Sequence, residues 1–251
     1  MTYCISDIHG CYIEFMQLLE KISFNERDKL YLLGDIIDRG DNSVGCLEYI
    51  KSKENIICLL GNHEMMMLDF FASSKSGKLR GEMWLKSGGA ETLKQIQQSD
   101  IARQLNELLA WLHELQPYVI VFVNGKEYFL SHAGFNATRP RSLEKPIGKQ
   151  TTWDYACSRY EFIHKPAFKD KHCVFGHTPT CNIRLNPNCS IWIDPVNNDK
   201  TCIDCACVYG GALATLRLDD GEVFYVKACG ERYTGKLLYI GDDGETHISR
   251  K

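Results

Sequence analysis

Positive charge is not in excess in this chain: 29 Lys and Arg face 32 Asp and Glu, for a net charge of −3. A nucleic-acid-binding surface normally shows a basic surplus, so no nucleic-acid partner is expected. Apolar runs of membrane-spanning length, about 20 residues, are also lacking, and with them any reason to expect a membrane partner. Ser6–Gly10 already carries the first chemical motif, so no export leader is expected before it. Internal repeats, low-complexity tracts and convincing linkers are missing too. The 251 residues are therefore expected to form one domain, with a helical insertion at about 65–115 and a β-rich C-terminal part at about 189–251.

A second Cys-x-x-Cys pair at zinc-ribbon spacing is missing, although the chain has 12 cysteines. So many cysteines fit either a disulfide framework in an oxidising compartment or free thiols packed as small apolar side chains. Cys4, Cys58, Cys173 and Cys207 sit inside apolar strand-like runs, so free thiols in a reducing cytoplasm are expected. Cys202-Ile-Asp-Cys205-Ala-Cys207 looks like a zinc or redox motif, but without a partner pair it reads as one structural strand. Thiol redox sensitivity is the alternative there.

What is present alternates in the α/β manner over the first two-thirds. Thr2–Ile5, Lys29–Leu33 and Asn55–Leu60 read as strands, each ending at a motif. Phe15, Leu18, Leu19 and Ile22 recur at helical spacing, so Cys11–Ile22 reads as an amphipathic helix. Ser43 is the expected N-cap of the next helix. The stripe Ile101, Leu105, Leu108, Leu109, Leu112 predicts a core-facing helix, and Met65–Met67 reads as helix packing. Asn124-Gly125 between two apolar runs predicts a hairpin whose second strand delivers His132.

Five short motifs carry the chemistry: Ser-Asp7-Ile-His9-Gly10, Gly34-Asp35-Ile-Ile-Asp38-Arg39-Gly40, Gly61-Asn62-His63-Glu64, His132-Ala-Gly134 and Gly176-His177. Phosphate esters resist hydrolysis because their anionic oxygens repel a nucleophile and the alkoxide leaves poorly. Two adjacent cations answer both problems. The motifs supply imidazole, carboxylate and amide donors, a set that suits two divalent ions, Mn²⁺ first, with Fe or Zn²⁺ as alternatives. Taken singly, each histidine would be a buried, hydrogen-bonded residue; taken together they read as ligands. Glu64 is expected to cap the helix that follows it. His113, His164, His172 and His247 have no motif context.

These motifs resemble those of the calcineurin-like metallophosphoesterases. The likeness is strongest to the phosphoprotein phosphatase branch, with its small bacterial and phage members and the related symmetrical dinucleoside tetraphosphatases. It runs from residue 2 to about residue 226 and is specific at the motifs. The resemblance implies an α/β fold, a four-layer αββα sandwich of two mixed sheets with flanking helices. It implies that Asp7 and His9 hold one metal, that Asp35 bridges to a second, and that Asn62, His132 and His177 complete the second metal's ligand set. A hydroxide bridging the two metals would attack phosphorus in line. His63 would be the general acid, with Asp38 orienting its ring. Arg39 would hold phosphoryl oxygens, and Arg159 is the best match for a second phosphate arginine.

The form Asp38-Arg39-Gly40 resembles the protein-phosphatase branch, whereas the tetraphosphatases tend to lose that aspartate. The expected substrate is therefore phosphoserine or phosphothreonine in a protein. A dinucleoside polyphosphate or a small phosphorylated metabolite is the alternative. Leu60 stands where many protein phosphatases place arginine, and Asp41 where proline is common. A non-catalytic relative would show loss of a ligand or of His63, and neither is seen. No oligomeric state is implied.

Overall fold

Successive residues in the strands face opposite ways and are apolar on both sides. Tyr3 and Ile5 lie in one buried cluster and Cys4 in another; Leu30 and Leu32 are likewise set against Tyr31 and Leu33. Phe129 faces away from Tyr128 and Leu130 in the same manner. Side chains alternate across a strand, so sheets of this composition must be covered on both faces.

The computed structural model describes residues 1–72, 81–138, 149–230, 233, 238–240 and 246–248. Strands β1 (Thr2–Ile5), β2 (Lys29–Leu32), β3 (Ile56–Cys58), β9 (Ala212–Arg217) and β10 (Val223–Lys227) form one sheet in the order β10-β9-β1-β2-β3. Strands β4 (Tyr118–Val123), β5 (Lys126–Ser131), β6 (Lys171–Phe175), β7 (Trp192–Ile193) and β8 (Lys200–Cys202) form the other, in the order β4-β5-β6-β8-β7. Both are mixed: β1, β2 and β3 run parallel while β9 and β10 are antiparallel, and β5, β6 and β8 run parallel between antiparallel edges. Strands β11 (Leu238–Ile240) and β12 (Thr246–Ile248) make a separate antiparallel pair.

Cys4, Tyr31 and Leu33 from the first sheet pack against Tyr128, Leu130 and Val174 from the second, forming the inner layer. Helices α1 (Tyr12–Lys21), α2 (Ser43–Lys51), α3 (Asn62–Phe71), α4 (Ala90–Gln98) and α5 (Leu105–Glu114) share the outer cluster of the first sheet. Helices α6 (Thr152–Cys157) and α7 (Tyr160–His164) cover the second sheet through Tyr155, Phe162 and Ile163; α8 (Thr180–Arg184) follows β6. This is the expected four-layer sandwich. Phe15 and Leu18 of α1 are fully buried, each contributing about 1.5–3 kcal/mol of transfer free energy; Phe15→Ala would cost that layer about 3–5 kcal/mol. Among the described residues, no helix is long and apolar enough to cross a membrane.

Two local expectations are corrected. The N-cap of α2 is Asn42, whose side chain accepts from Gly45 N at 2.8 Å; the Ser43 hydroxyl instead accepts from Asp38 N at 2.9 Å. The segment Cys202–Cys207 is not one strand, because β8 ends at Cys202. Ala206 turns the chain with φ 59°, and Tyr209 N and Gly211 N close back on its carbonyl. All 12 cysteines are free thiols, as expected, and most are buried.

Candidate metal centre

Each motif follows a strand: residues 7–10 follow β1, 34–40 follow β2, 61–64 follow β3, 132–134 follow β5 and 176–177 follow β6. The parallel strands thus end on one side and present their loops together. Tight backbone makes this work. Gly34 has φ +90°, and a Cβ there would stand 2.6 Å from the Gly61 backbone, so only glycine lets the second and third loops meet. Asp7, His9, Asp35, Asp38, Arg39 and His177 all have positive φ, between 47° and 76°. Left-handed backbone costs on the order of 1–3 kcal/mol per residue and collects at functional sites.

Asp35 lies at the centre. Its Oδ2 is 3.6 Å from His9 Nε2 and 3.9 Å from His63 Nε2, while Oδ1 is 3.4 Å from His132 Nε2. Two buried donor triples share it: His9, Asp35 and His63, and Asp35, His132 and His177. His132 Nε2 is also 3.0 Å from Asn62 Oδ1 and 3.1 Å from His177 Nδ1. Asp7 Oδ1 is 4.0 Å from His9 Nε2, and its Oδ2 accepts from His177 N and from the Ser6 hydroxyl. Every residue expected from the sequence to be a ligand therefore falls in one cluster, buried except for the half-buried Asn62.

The imidazoles are oriented for ligation. His9 Nδ1 lies 2.9 Å from Ile37 O and His132 Nδ1 2.8 Å from Leu33 O; donating there leaves each Nε2 lone pair aimed at the cluster. His177 Nε2 is buried with no hydrogen-bond partner among the described residues. His177 presents its Nδ1 to His132 Nε2 at 3.1 Å, and the combined nitrogen and oxygen donor set fits a divalent cation.

Charge follows the geometry. Burial would raise the Asp35 carboxyl, but His132, His63 and His9 outweigh it and hold it well below the usual range. Burial would lower His132, yet Asp35 overrides it and pushes the imidazole up to about 9. Burial, and then the guanidiniums of Arg39 and Arg159 respectively, keep His9 and His177 well below an ordinary imidazole. Burial raises the Asp7 carboxyl.

His63 opens α3 and points its Nδ1 at Asp38 Oδ2, 2.6 Å away. Trp84 Nε1 donates to the same oxygen at 2.7 Å, and Thr92 Oγ1 joins the Ser43 hydroxyl in accepting from Asp38 N. Arg39 Nη1 donates to His9 Nε2 at 2.6 Å, with its guanidinium over the Tyr209 and Tyr233 rings. Arg159 Nη1 donates to Thr178 Oγ1 at 3.1 Å, beside His177. Glu64 does more than cap α3: it accepts from Gly61 N and also from Asp35 N and Ile36 N, binding the second loop to the third. His113 and His164 are exposed, His172 bonds Thr201 Oγ1, and the His247 side chain lies outside the described residues.

Trp84, Thr92 and Asp204 were not visible in the motifs. Trp84 and Thr92 reach Asp38 from the region between the third and fourth motifs, 46 and 54 residues away in sequence, and no local pattern marks them. Asp204 is buried, and burial together with the charge of Asp7 pushes its carboxyl well up.

The calcineurin-like phosphoesterase profile matches residues 2–209. The symmetrical bis(5'-nucleosyl)-tetraphosphatase of Erwinia tasmaniensis is 27% identical over 89% of this chain and 96% of that one. Serine/threonine-protein phosphatase 1 of Salmonella typhimurium is 31% identical over 71% of this chain and 78% of that one. Among the tetraphosphatases the matched stretch runs from 29% to 97% of the relative's length. The solved structure of a candidate diadenosine tetraphosphatase superposes with TM-score 0.62 at 20% identity, covering 90% of this chain and 93% of that one. Fold, motifs and profile agree that the chain belongs to the calcineurin-like phosphoesterase family.

Proposed function

We propose that this chain is a dinuclear-metal phosphatase that hydrolyses phosphomonoesters, with phosphoserine and phosphothreonine in proteins as its substrates. Asp7 and His9 would hold one cation, Asn62, His132 and His177 the other, with Asp35 between them. Bound there, two divalent cations of the Mn²⁺ type would activate a water and offset charge on the phosphoryl oxygens. The remaining work belongs to the chain's own side chains. Arg39 and Arg159 offer planar forks matched to phosphoryl oxygens. His63 gives a proton to the leaving oxygen, and Asp38 holds the ring so that Nε2 faces the site.

The observation that carries the substrate reading is the 2.6 Å contact between His63 Nδ1 and Asp38 Oδ2. An imidazole held in place by a carboxylate is an oriented proton donor, which an alkoxide leaving group such as that of serine or threonine needs. A phosphoanhydride expels a far better leaving group and needs that help less. The second reading, symmetrical hydrolysis of dinucleoside tetraphosphates, is favoured by the match over 89% of this chain to a tetraphosphatase. Turnover of Mn²⁺-loaded protein on phosphoserine and phosphothreonine peptides, run beside diadenosine tetraphosphate, separates the two. Preference for the peptides, abolished in His63→Asn, is the expected result. Preference for the dinucleotide overturns the substrate class and leaves the metal centre in place.

A further inference from the structure

A second donor cluster lies on the outer side of the first sheet, away from the nitrogen and oxygen ligands. Cys11, Glu14 and Cys207 bring two thiols and a carboxylate within 4.8 Å of one another, and all three are buried. Cys11 is the N-cap of α1, and Glu14 sits in that helix's first turn, so positions 11 and 14 share one helix face. Cys207 comes from far along the chain, in the turn that Ala206 creates beyond β8. Three donors thus converge from two separate segments.

From these residues we infer that the chain holds a structural Zn²⁺ ion on Cys11, Glu14 and Cys207. Thiolates select zinc over harder cations, and tetrahedral coordination by sulfur with one oxygen suits its bond lengths of about 2.0–2.3 Å. Donors within 4.8 Å need only rotamer-scale movement to close on such an ion. Each thiol releases its proton to solvent on binding, and the cation offsets the cost of burying the Glu14 carboxylate. A hydrophobic core uses cysteine as a small apolar residue; here the two thiols flank a buried carboxylate whose Oε1 accepts from Cys229 N at 2.7 Å.

The ion would tie the start of α1 to the turn after β8. Cys11 follows Gly10 directly, and Gly10 N donates to Ile36 O at 2.8 Å. Asp204 and the Ala206 turn lie at the other end of the tie, next to Asp7. The zinc would therefore brace the first metal-binding loop from behind without touching substrate.

The test uses the full chain loaded with Co²⁺, because thiolate ligands give a sulfur-to-cobalt charge-transfer band that a nitrogen and oxygen site cannot give. The wild-type and Asp35→Asn proteins should both show the band. Cys207→Ser and Cys11→Ser should lose it with unchanged far-ultraviolet circular dichroism, and Cys181→Ser should keep it. A wild-type protein without the band, or a band that survives Cys207→Ser, overturns the assignment. Should the serine variants fail to fold, zinc content decides: Asp35→Asn protein should carry one equivalent of zinc, and none overturns the site.

Discussion

Asp38 and His63 are buried side by side, with Oδ2 of the aspartate 2.6 Å from Nδ1 of the imidazole. The carboxylate fixes the orientation of the ring, so that Nε2 is turned away from Asp38. His63→Asn is expected to slow turnover by about 10²–10⁴-fold, the usual worth of a general acid, with metal content unchanged. Asp38→Asn leaves the acid in place but loosely aimed, and should cost about 10–100-fold. Elemental analysis beside steady-state kinetics checks both; metal loss as the main effect of His63→Asn contradicts the acid role.

Trp84 supplies the other hydrogen bond to Asp38 Oδ2, at 2.7 Å. Trp84→Phe keeps most of the ring volume and removes the donor, at about 1–3 kcal/mol for the poorly satisfied oxygen. The expected result is a lower kcat with KM unchanged and a displaced pH–rate profile. A change in Tm alone, with kinetics intact, would make Trp84 a packing residue only.

Arg39 contributes a guanidinium lying over Tyr209 and Tyr233. Arg39→Lys keeps the charge and loses both the fork and the stacking. A loss in kcat/KM on the order of tenfold to a hundredfold, matching about 1.5–3 kcal/mol for a charged hydrogen bond, is expected. Equal kinetics for lysine would show that only charge matters there.

Much of this architecture was legible before any coordinates. Thr2–Ile5 and Lys29–Leu33 announce themselves because alternating apolar residues run straight into a motif, and β1 and β2 occupy nearly those spans. The ten residues expected at the site could be singled out for a related reason: each sits in a short loop after a strand or at a helix start, or beside one, where local sequence dictates local geometry. Trp84 was not legible, since its bond to Asp38 depends on how the helices after α3 fold back over the second loop. The Cys202–Cys207 segment misled because its apolar content mimics a strand. The left-handed turn at Ala206 uses a residue that does not advertise positive φ. The Cys11, Glu14 and Cys207 cluster was equally hidden, because its members meet only after α1 and the turn beyond β8 are packed together.

Lys200 is fully buried between Asp194 and Asp199, at 2.6 and 2.7 Å. Burial works against it, but Lys200 and Asn197 hold the Asp194 carboxyl well below the usual range. A carboxyl depressed in the folded state adds stability above its unfolded pKa, about 3.9, and loses it as pH falls through the folded value. Lys200→Met leaves two carboxylates without their cation and should cost about 3–5 kcal/mol at neutral pH. Urea midpoints at pH 7 and below pH ~4 check this: the variant should lose stability at pH 7 and show a flatter acid limb. An unchanged midpoint at pH 7 would contradict it.

Asp35 is the one side chain shared by both donor triples, so the metal stoichiometry of Asp35→Asn against wild type, measured with phosphomonoesterase turnover on the same Mn²⁺-loaded samples, tests the account most directly. The wild-type protein should bind two manganese ions and turn over a phosphomonoester. Asp35→Asn should lose both ions together and with them the activity. Full two-manganese occupancy in Asp35→Asn, or turnover by wild type stripped of divalent metal, would contradict a dinuclear centre built on this residue.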